Sequence, residues 1–385
     1  MKEHISEHVK KMAPSGIREF FDLVLGMPDV ISLGVGEPDF ITPWRIREKA
    51  ITALEEGYTS YTSNKGLVLL REAISSYLKN QYKLKYSSSK EILITVGVSE
   101  GLDLSLRAIL NPRDKVIVVS PYYVAYPALV ELNHGQVLLL ETKQEDNFKI
   151  DLKKLSILLK QNPKAIILNY PSNPSGSTYN FAELKKMWKM LSEKDIIVIS
   201  DETYDLLTYG QKHISFPSLS KVAKNKTILL NGFSKGHAMT GFRVGYACGN
   251  YEIIEAMTKI HSYSVMCGPV VSQVAASEAL VATREVKSMK SEYIRRRDFL
   301  VKELKRLDFI VSQPQGAFYC FAFLGNFKLN SLEFAKKLLI KEKVAVVPGI
   351  AFGKSYKNYI RISYANSLDN LKEAVIRIER FLKSL

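Results

Sequence analysis

The chain has 385 residues, a length that favours either one large domain or a large domain with a smaller companion. Hydrophobic residues make up 46% of it and charged residues 24%, close to the average for folded globular proteins, which excludes disordered and fibrous classes. The formal net charge is +15. Lysines are nevertheless interleaved with acids, and no nucleic-acid-binding motif lies near the densest basic run, at 287–297, so a basic surface is predicted rather than a nucleic-acid partner.

Export, membrane insertion and metal binding are not expected from the remaining composition. The start, "MKEHISEHVKKMAPSG", mixes charges of both signs and lacks the apolar centre of a secretory signal. The longest apolar runs, such as "KAIILNY", are too short to span a bilayer. Cys248, Cys267 and Cys320 are widely separated, match no metal-ligand spacing and cannot form an even disulfide framework. We therefore expect a cytoplasmic protein with no metal site and no membrane partner.

Short β-branched runs alternate with amphipathic helical stretches through the first two thirds of the chain. The runs "EILITVG", "DKVIVVS", "QVLLLET", "KAIILNY", "DIIVIS" and "KTILLNG" have the length and branching of buried strands, and segments such as "SEGLDLSLRAIL" and "FAELKKMWKMLSEK" have helical periodicity. This rhythm predicts an α/β fold in which a mostly parallel mixed sheet carries helices on both faces. Functional residues are then expected at the carboxyl ends of the strands.

The pattern changes near residue 285. A long charged helix follows, then an isolated pair of strands around "GAFYCFAF" and "AVVPG", and a closing helix "SLDNLKEAVIRIERFL". This order predicts a second, smaller α+β domain. We assign 36–285 to the large domain, and 1–35 together with 286–385 to the small one.

Three predicted strands deliver polar residues where their apolar runs stop. Asp201 follows "IIVIS", Asn173 follows "IILNYPS", and Lys235 follows "TILLNGFS". Each has an ordinary alternative, since Asp201 can cap a helix, Asn173 can be a turn residue and Lys235 can be a solvated loop residue. Their occurrence together, with Arg243 shortly after the lysine, favours one shared site.

These residues resemble the fold type I aminotransferases of class I/II, which use pyridoxal 5'-phosphate. The resemblance runs in the family's order through "SLGVGEPDF", "YTSNKG", "PSNPSG", "SDETY", "SKGHAMTGFRVG" and "YIRISYA", and so covers nearly the whole chain. It implies that Lys235 condenses with the cofactor's aldehyde and then moves the substrate's α-proton. It also implies that Asp201 holds the protonated ring nitrogen, while Tyr204 and Asn173 hold the ring's 3' oxygen.

The resemblance also implies a phosphate site and a stacking partner. "TVGVSEGLDL" supplies a glycine turn and a helix N-terminus, at Val98 and Ser99, although such a turn alone is more often an ordinary connection. Ser234 and Arg243 are implied to bind the phosphate from the same subunit, and Tyr61 is implied to reach it from the other subunit of a homodimer. Tyr123 is implied to stack on the cofactor's ring. Tyr122 and Tyr126 could equally be core aromatic residues.

Substrate recognition is implied at Asn173 and at two further positions. Arg361 in "YIRISYA" resembles the family arginine that binds the substrate's α-carboxylate, and Gly36 in "GVGEPDF" would let the backbone approach the same group; the alternative for Arg361 is a surface position on a strand. The implied reaction moves the amino group of an L-amino acid to a 2-oxo acid, 2-oxoglutarate, with an aspartate, aromatic or acylated diaminopimelate-like donor. A carbon-sulfur β-lyase stays open, because the same cofactor residues support elimination.

Overall fold

The structure is a computed structural model that describes residues 4–6, 9–10, 27–325 and 327–385. Of the segment 1–35 assigned to the small domain, residues 1–3, 7–8 and 11–26 lie outside the described residues. All of the site residues named above lie inside them. In the described part of the chain, no helix has both the length and the apolar character needed to cross a membrane.

The strands of the described residues, in chain order, are β1 (Ile31–Ser32), β2 (Ile92–Thr95), β3 (Lys115–Ser120), β4 (Gln136–Glu141), β5 (Ala165–Asn169), β6 (Ile197–Asp201), β7 (Thr227–Gly232), β8 (Gly245–Cys248), β9 (Ile310–Val311), β10 (Tyr319–Phe323), β11 (Val344–Ala345), β12 (Val347–Pro348) and β13 (Tyr359–Ser363). The α-helices are α1 (Trp44–Glu55), α2 (Val68–Tyr82), α3 (Gly97–Ile109), α4 (Ala125–Leu132), α5 (Leu152–Leu159), α6 (Phe181–Ser192), α7 (Lys221–Asn225), α8 (Tyr251–Ser264), α9 (Val270–Ala279), α10 (Thr283–Arg306), α11 (Ser331–Glu342) and α12 (Leu368–Lys383).

The large sheet has seven strands in the order β2-β8-β7-β6-β5-β3-β4. The pairs from β7 through β6, β5 and β3 to β4 are parallel, whereas β8 is antiparallel to both of its neighbours. The prediction of a mostly parallel mixed sheet in an α/β fold is therefore confirmed. Because β5, β6 and β7 are adjacent and parallel, their carboxyl ends meet at one edge.

Helices cover both faces of this sheet, which explains why its central strands are apolar along most of their length. Successive residues of one strand pack into different cores: Ile166 lies in the cluster with α6, whereas Ile167 lies in the cluster with α3. Alternation of side chains along a strand places such neighbours on opposite faces. The strands of the centre are consequently buried on both sides, and their polar terminal residues stand out at the edge.

A second sheet, β12-β13-β10-β9, is antiparallel and packs against α10, α11 and α12. The isolated pair of strands expected here is wrong. "GAFYCFAF" pairs with "YIRIS" over five residues, and "AVVPG" divides into β11, which pairs with β1, and β12, which joins β13. The expectation failed because pairing partners distant in the chain leave no local signal. The domain boundaries at 35/36 and 285/286 stay predictions.

Candidate active site

A cavity of about 600 Å³ lies at the carboxyl ends of β5, β6 and β7. Its walls come from the loops after these strands, the start of α3, the segment after β1, and the antiparallel sheet. Sequence-predicted site residues that line it are Gly36, Val98, Ser99, Tyr123, Asn173, Asp201, Tyr204, Ser234, Lys235, Arg243 and Arg361. The structure thus brings together residues that are more than 300 positions apart in the chain.

Lys235 follows β7 and its amine donates a hydrogen bond to the backbone carbonyl of Gly36. Burial lowers the pKa of this amine to about 8, and the positive charge of Arg361 acts in the same direction, while Glu37 opposes them. A neutral amine is a nucleophile and a base, and a pKa near 8 leaves part of it neutral close to physiological pH. The alternative of a solvated loop lysine does not hold here.

Asp201 is the last residue of β6 and is buried. Its Oδ2 accepts a hydrogen bond from the Tyr126 hydroxyl at 2.7 Å, and its Oδ1 accepts one from the Thr203 backbone N–H at 3.2 Å. Burial raises the pKa of the carboxyl to about 6, although both hydrogen bonds favour the charged form. The helix-capping role considered from the sequence does not apply, because the short 3-10 helix that follows, Asp205–Leu207, has Tyr204 at its N-cap. The Asp201 carboxylate instead lines the cavity, where it would gain from a cationic partner.

Asn169, at the end of β5, joins two of the predicted residues. Its Oδ1 accepts the backbone N–H of Asn173 at 2.9 Å, and its Nδ2 donates to the backbone carbonyl of Asp201 at 3.1 Å. Sequence reasoning missed both Asn169 and Tyr126. The available signals were the position of Asn169 at a strand end and the spacing of Tyr126, three residues after Tyr123, in the turn that opens α4.

Arg361 in β13 is only 3% exposed, which excludes the surface-strand alternative. Its Nη1 donates to Asn173 Oδ1 at 2.9 Å and its Nη2 donates to the carbonyl of Gly34. The guanidinium lies over the ring of Tyr319 at 4.5 Å and over that of Phe352 at 5.0 Å. Its Nε is buried and has no hydrogen-bond partner among the described residues. A buried guanidinium in a cavity wall is suited to a carboxylate ligand.

Cationic and N–H donors also gather around the start of α3. Gly97, the first residue of α3, has φ +72°, which favours glycine, and a Cβ there would lie 2.7 Å from Nη2 of Arg243. Arg243 also donates from Nη1 to the carbonyl of Thr240 at 3.1 Å. Ser99 and Ser234 contribute hydroxyls to the same cavity. A helix N-terminus, a guanidinium and hydroxyls form a donor set appropriate to a phosphate.

Of the predicted site residues Tyr123 and Tyr61, Tyr123 lines the cavity and Tyr61 does not. Tyr123 lines it and packs edge-on against Tyr126, with ring centroids 5.6 Å apart. Tyr61 does not line it, and its side chain is 82% exposed. Its predicted contribution to a partner subunit's site stays a prediction.

Comparison with known proteins agrees with this geometry. The family model described as aminotransferase class I and II matches residues 28–378. The Bacillus subtilis (strain 168) protein YugH is 45% identical over 99% of both chains, and an aspartate aminotransferase of Pyrococcus abyssi is 40% identical over 98% of both. The crystal structure of an aromatic aminotransferase from Pyrococcus horikoshii has a TM-score of 0.90 and 37% identity, covering 96% of this chain and 99% of that one. The chain therefore belongs to the class I and II aminotransferases and is itself an aminotransferase.

Proposed function

We propose that the protein transfers the amino group of an L-amino acid to 2-oxoglutarate through bound pyridoxal 5'-phosphate, in two half-reactions that share one site. The observation that carries the proposal is the meeting of a lysine amine of lowered pKa, a buried carboxylate and a buried guanidinium in one cavity. Each half-reaction needs a base, an electron-withdrawing cofactor and a carboxylate anchor. Lys235 would be the base, Asp201 would hold the cofactor's ring nitrogen, and Arg361 would bind the carboxylate.

The donor set fits this cofactor. Asp201 is a buried carboxylate whose pKa is raised chiefly by burial, although the positive charge of Lys235 acts against this, and a protonated pyridine nitrogen beside it would stabilise its charged form. The amides at the start of α3 and the Arg243 guanidinium would hold the phosphate. When bound, pyridoxal phosphate withdraws electrons from the substrate's α-carbon and carries the amino group between half-reactions.

The protein's own groups then have distinct tasks. The Lys235 amine, once free, would act as a base that takes the proton from the substrate's α-carbon. It would then act as an acid and deliver that proton to C4′ of the cofactor. Tyr204 and Asn173 would hold the ring's 3' oxygen from two sides, and Tyr123 would lie against the ring face. Asn169 and Tyr126 would position these groups, because Asn169 bonds the backbones of Asn173 and Asp201 and Tyr126 bonds the Asp201 carboxylate.

Arg361 and Gly36 would bind the α-carboxylate. The segment holding Gly36 reaches both the Lys235 amine and, through Gly34, the Arg361 guanidinium. Movement of the small sheet toward the large one would carry these groups onto the substrate and exclude water. In this arrangement every amino acid substrate would be held by its α-carboxylate.

The proposed donor is aspartate, an aromatic amino acid or a related one. Relatives named for aspartate and for aromatic substrates support this range. Among the described residues, the cavity's cations are Lys235, Arg243 and Arg361, and each already has a task. A dicarboxylate would therefore need a further cation for its side chain.

A spectrophotometric experiment distinguishes the donor and the reaction. Single L-amino acids are added to the cofactor-loaded enzyme, and the visible band of the lysine-bound cofactor is followed while ammonia is assayed. Loss of the band without ammonia, reversed by 2-oxoglutarate, is the expected result and names the donor. Ammonia release with an unchanged band would instead identify a carbon-sulfur β-lyase, which no comparison favours.

We propose that the enzyme is a homodimer. Large apolar side chains are exposed around α1, the segment before α2 and the end of α8, including Ile41, Trp44, Tyr61, Tyr263 and Met266. These regions are adjacent, because the Asn64 side-chain amide donates to the Met266 carbonyl at 2.9 Å and α1 packs against α9. Large exposed apolar side chains on neighbouring segments are typical of a subunit interface.

A complementation test examines the interface and Tyr61 together. Mixed dimers of Tyr61→Ala and Lys235→Ala subunits contain one site with a wild-type lysine from one subunit and a wild-type tyrosine from the other. Recovered activity on mixing, with a dimer mass in sedimentation, is expected. Activity no higher than that of Tyr61→Ala alone would show that Tyr61 does not serve the partner's site.

We also propose a cytoplasmic location. Cys248 and Cys320 are buried and unpaired, and Cys267 is partly buried and unpaired. Free thiols persist in reducing compartments. Localisation of a fluorescently tagged chain tests this placement.

A further inference from the structure

Tyr319 lines the cavity and contacts both Arg361 and Tyr204, although nothing in the sequence distinguished it. It is in β10 of the small antiparallel sheet, it is fully buried, and its side chain lines the cavity. Its hydroxyl is 2.9 Å from the hydroxyl of Tyr204, which follows β6 of the large sheet. The contact therefore crosses between the two sheets.

The ring and the hydroxyl of Tyr319 have different neighbours. The ring face supports the Arg361 guanidinium at 4.5 Å. The hydroxyl points past Gly36, where a Cβ would lie 2.9 Å from it, and meets Tyr204. A substitution to phenylalanine can therefore remove the hydroxyl contact while keeping the ring under Arg361.

Tyr204 can use its single O–H in only one hydrogen bond at a time. If that proton goes to the cofactor's ring oxygen, the oxygen of Tyr204 can accept the proton of Tyr319. Successive hydrogen bonds polarise one another, so donation from Tyr319 would strengthen donation by Tyr204. Among the described residues, no other side chain forms a hydrogen bond with either hydroxyl.

We propose that Tyr319 is a positioning residue that donates to Tyr204 and thereby sets the strength of the Tyr204 hydrogen bond to the ring oxygen. The proposal rests on the proposed function, because it requires the cofactor in this cavity. It gives the small sheet a direct contact with the groups that control the cofactor, separate from the binding of the substrate's carboxylate by Arg361.

The charged groups around the hydroxyl pair are few. Arg361 from β13 faces both tyrosines and favours their ionised forms, whereas Asp201 from β6 acts on Tyr204 in the opposite direction. Tyr123, from the segment before α4, faces Tyr319 as well. Burial outweighs these charges and keeps the pKa of both tyrosines above its usual value, so both are protonated and able to donate.

The test is a pH titration of the visible absorption band of the cofactor-loaded enzyme, without substrate. A hydrogen bond to the ring oxygen stabilises its anionic form and lowers the apparent pKa of that band. Tyr204→Phe should raise this pKa, and Tyr319→Phe should raise it by a smaller amount, about half a unit. Tyr319→Phe should leave the donor KM within about twofold, because the ring under Arg361 remains.

A double variant decides whether the effect passes through Tyr204. In the Tyr204→Phe background, Tyr319→Phe should cause no further shift. The matched control is Tyr364→Phe, which removes another buried hydroxyl of the same domain whose partner is the Ala317 carbonyl, and which should not move the band. Tyr319→Leu should raise both the apparent pKa and the KM, since it also removes the ring.

The outcomes separate the two levels of the proposal. A Tyr204→Phe shift with an unshifted Tyr319→Phe would overturn the role of Tyr319 and leave the proposed function intact. Equal shifts from Tyr319→Phe in both backgrounds would also overturn it, because the effect would then bypass Tyr204. An unshifted Tyr204→Phe would overturn both the assigned role of Tyr204 and the inference built on it.

Discussion

Replacing Arg361 with lysine tests how the substrate is anchored, because it keeps the charge and removes the planar fork. In the structure the guanidinium bonds Asn173 and Gly34, stacks on two aromatic rings and retains a free buried Nε donor. A lysine ammonium cannot reproduce this geometry. Loss of one charge-assisted hydrogen bond to the α-carboxylate costs about 1.5–3 kcal/mol. Since 1.4 kcal/mol is a factor of ten, KM should rise roughly 10- to 150-fold.

The assay measures steady-state kinetics with several amino donors, and the visible band confirms that cofactor remains bound. KM should rise by a similar factor for all donors, because the α-carboxylate is common to them. The matched control is Arg297→Lys in α10, an arginine that lies over the Tyr209 ring at 5.0 Å and does not line the cavity. A KM within threefold of wild type for Arg361→Lys would refute the anchoring role, and an effect on one donor only would reassign Arg361 to side-chain recognition.

Lys235→Ala should reduce turnover by at least about 10⁴-fold and remove the visible band while the circular dichroism spectrum stays unchanged; full activity would contradict the mechanism. Asp201→Asn should lower kcat by about 10²–10³-fold through loss of the carboxylate at the ring nitrogen, and unchanged turnover would refute that role. Gly97→Ala should weaken cofactor affinity roughly tenfold, measured by equilibrium dialysis, because a side chain strains φ +72° and meets Arg243; unaltered affinity would exclude this cradle. Covalent capture of cofactor by the cofactor-free protein should quicken as pH rises and level off above about 8, because only the neutral form of Lys235 reacts and its pKa is lowered to about 8; a rate independent of pH from 6 to 9 would disprove this.

The strand-end residues of the site were accessible from the sequence because parallel strands share one carboxyl edge. Asn173, Asp201 and Lys235 each follow an apolar run, and β5, β6 and β7 are neighbours in the sheet. Arg361 and Gly36 came from the family resemblance alone, since no local pattern connects residues so far apart in the chain. Pairing of β13 with β10 and burial of Arg361 supply the physical reason in the structure.

Tyr126 and Tyr319 were missed for different reasons. Tyr126 lies in the turn that begins α4. Its spacing from Tyr123 along the chain limits the directions in which its side chain can point but does not identify its hydrogen-bond partner. Tyr319 belongs to "YCFAF", a strand with apolar residues on both faces, so alternation could not indicate which residues face the cavity. Tyr61 presents a further limit, because its proposed target belongs to a second copy of the chain.

The buried Arg361 would bind the α-carboxylate, which all amino acids share, and not the side chain, which differs between them. The guanidinium is enclosed by two rings and two polar contacts from other segments, so a substitution there disturbs several elements at once. The rim of the cavity includes Glu37, which is exposed and whose carboxylate accepts a hydrogen bond from the Thr240 hydroxyl at 3.3 Å. Substitutions at such a rim alter few buried contacts and cost little stability. New donor preferences can therefore evolve at the rim while recognition of the amino acid as a class is inherited unchanged.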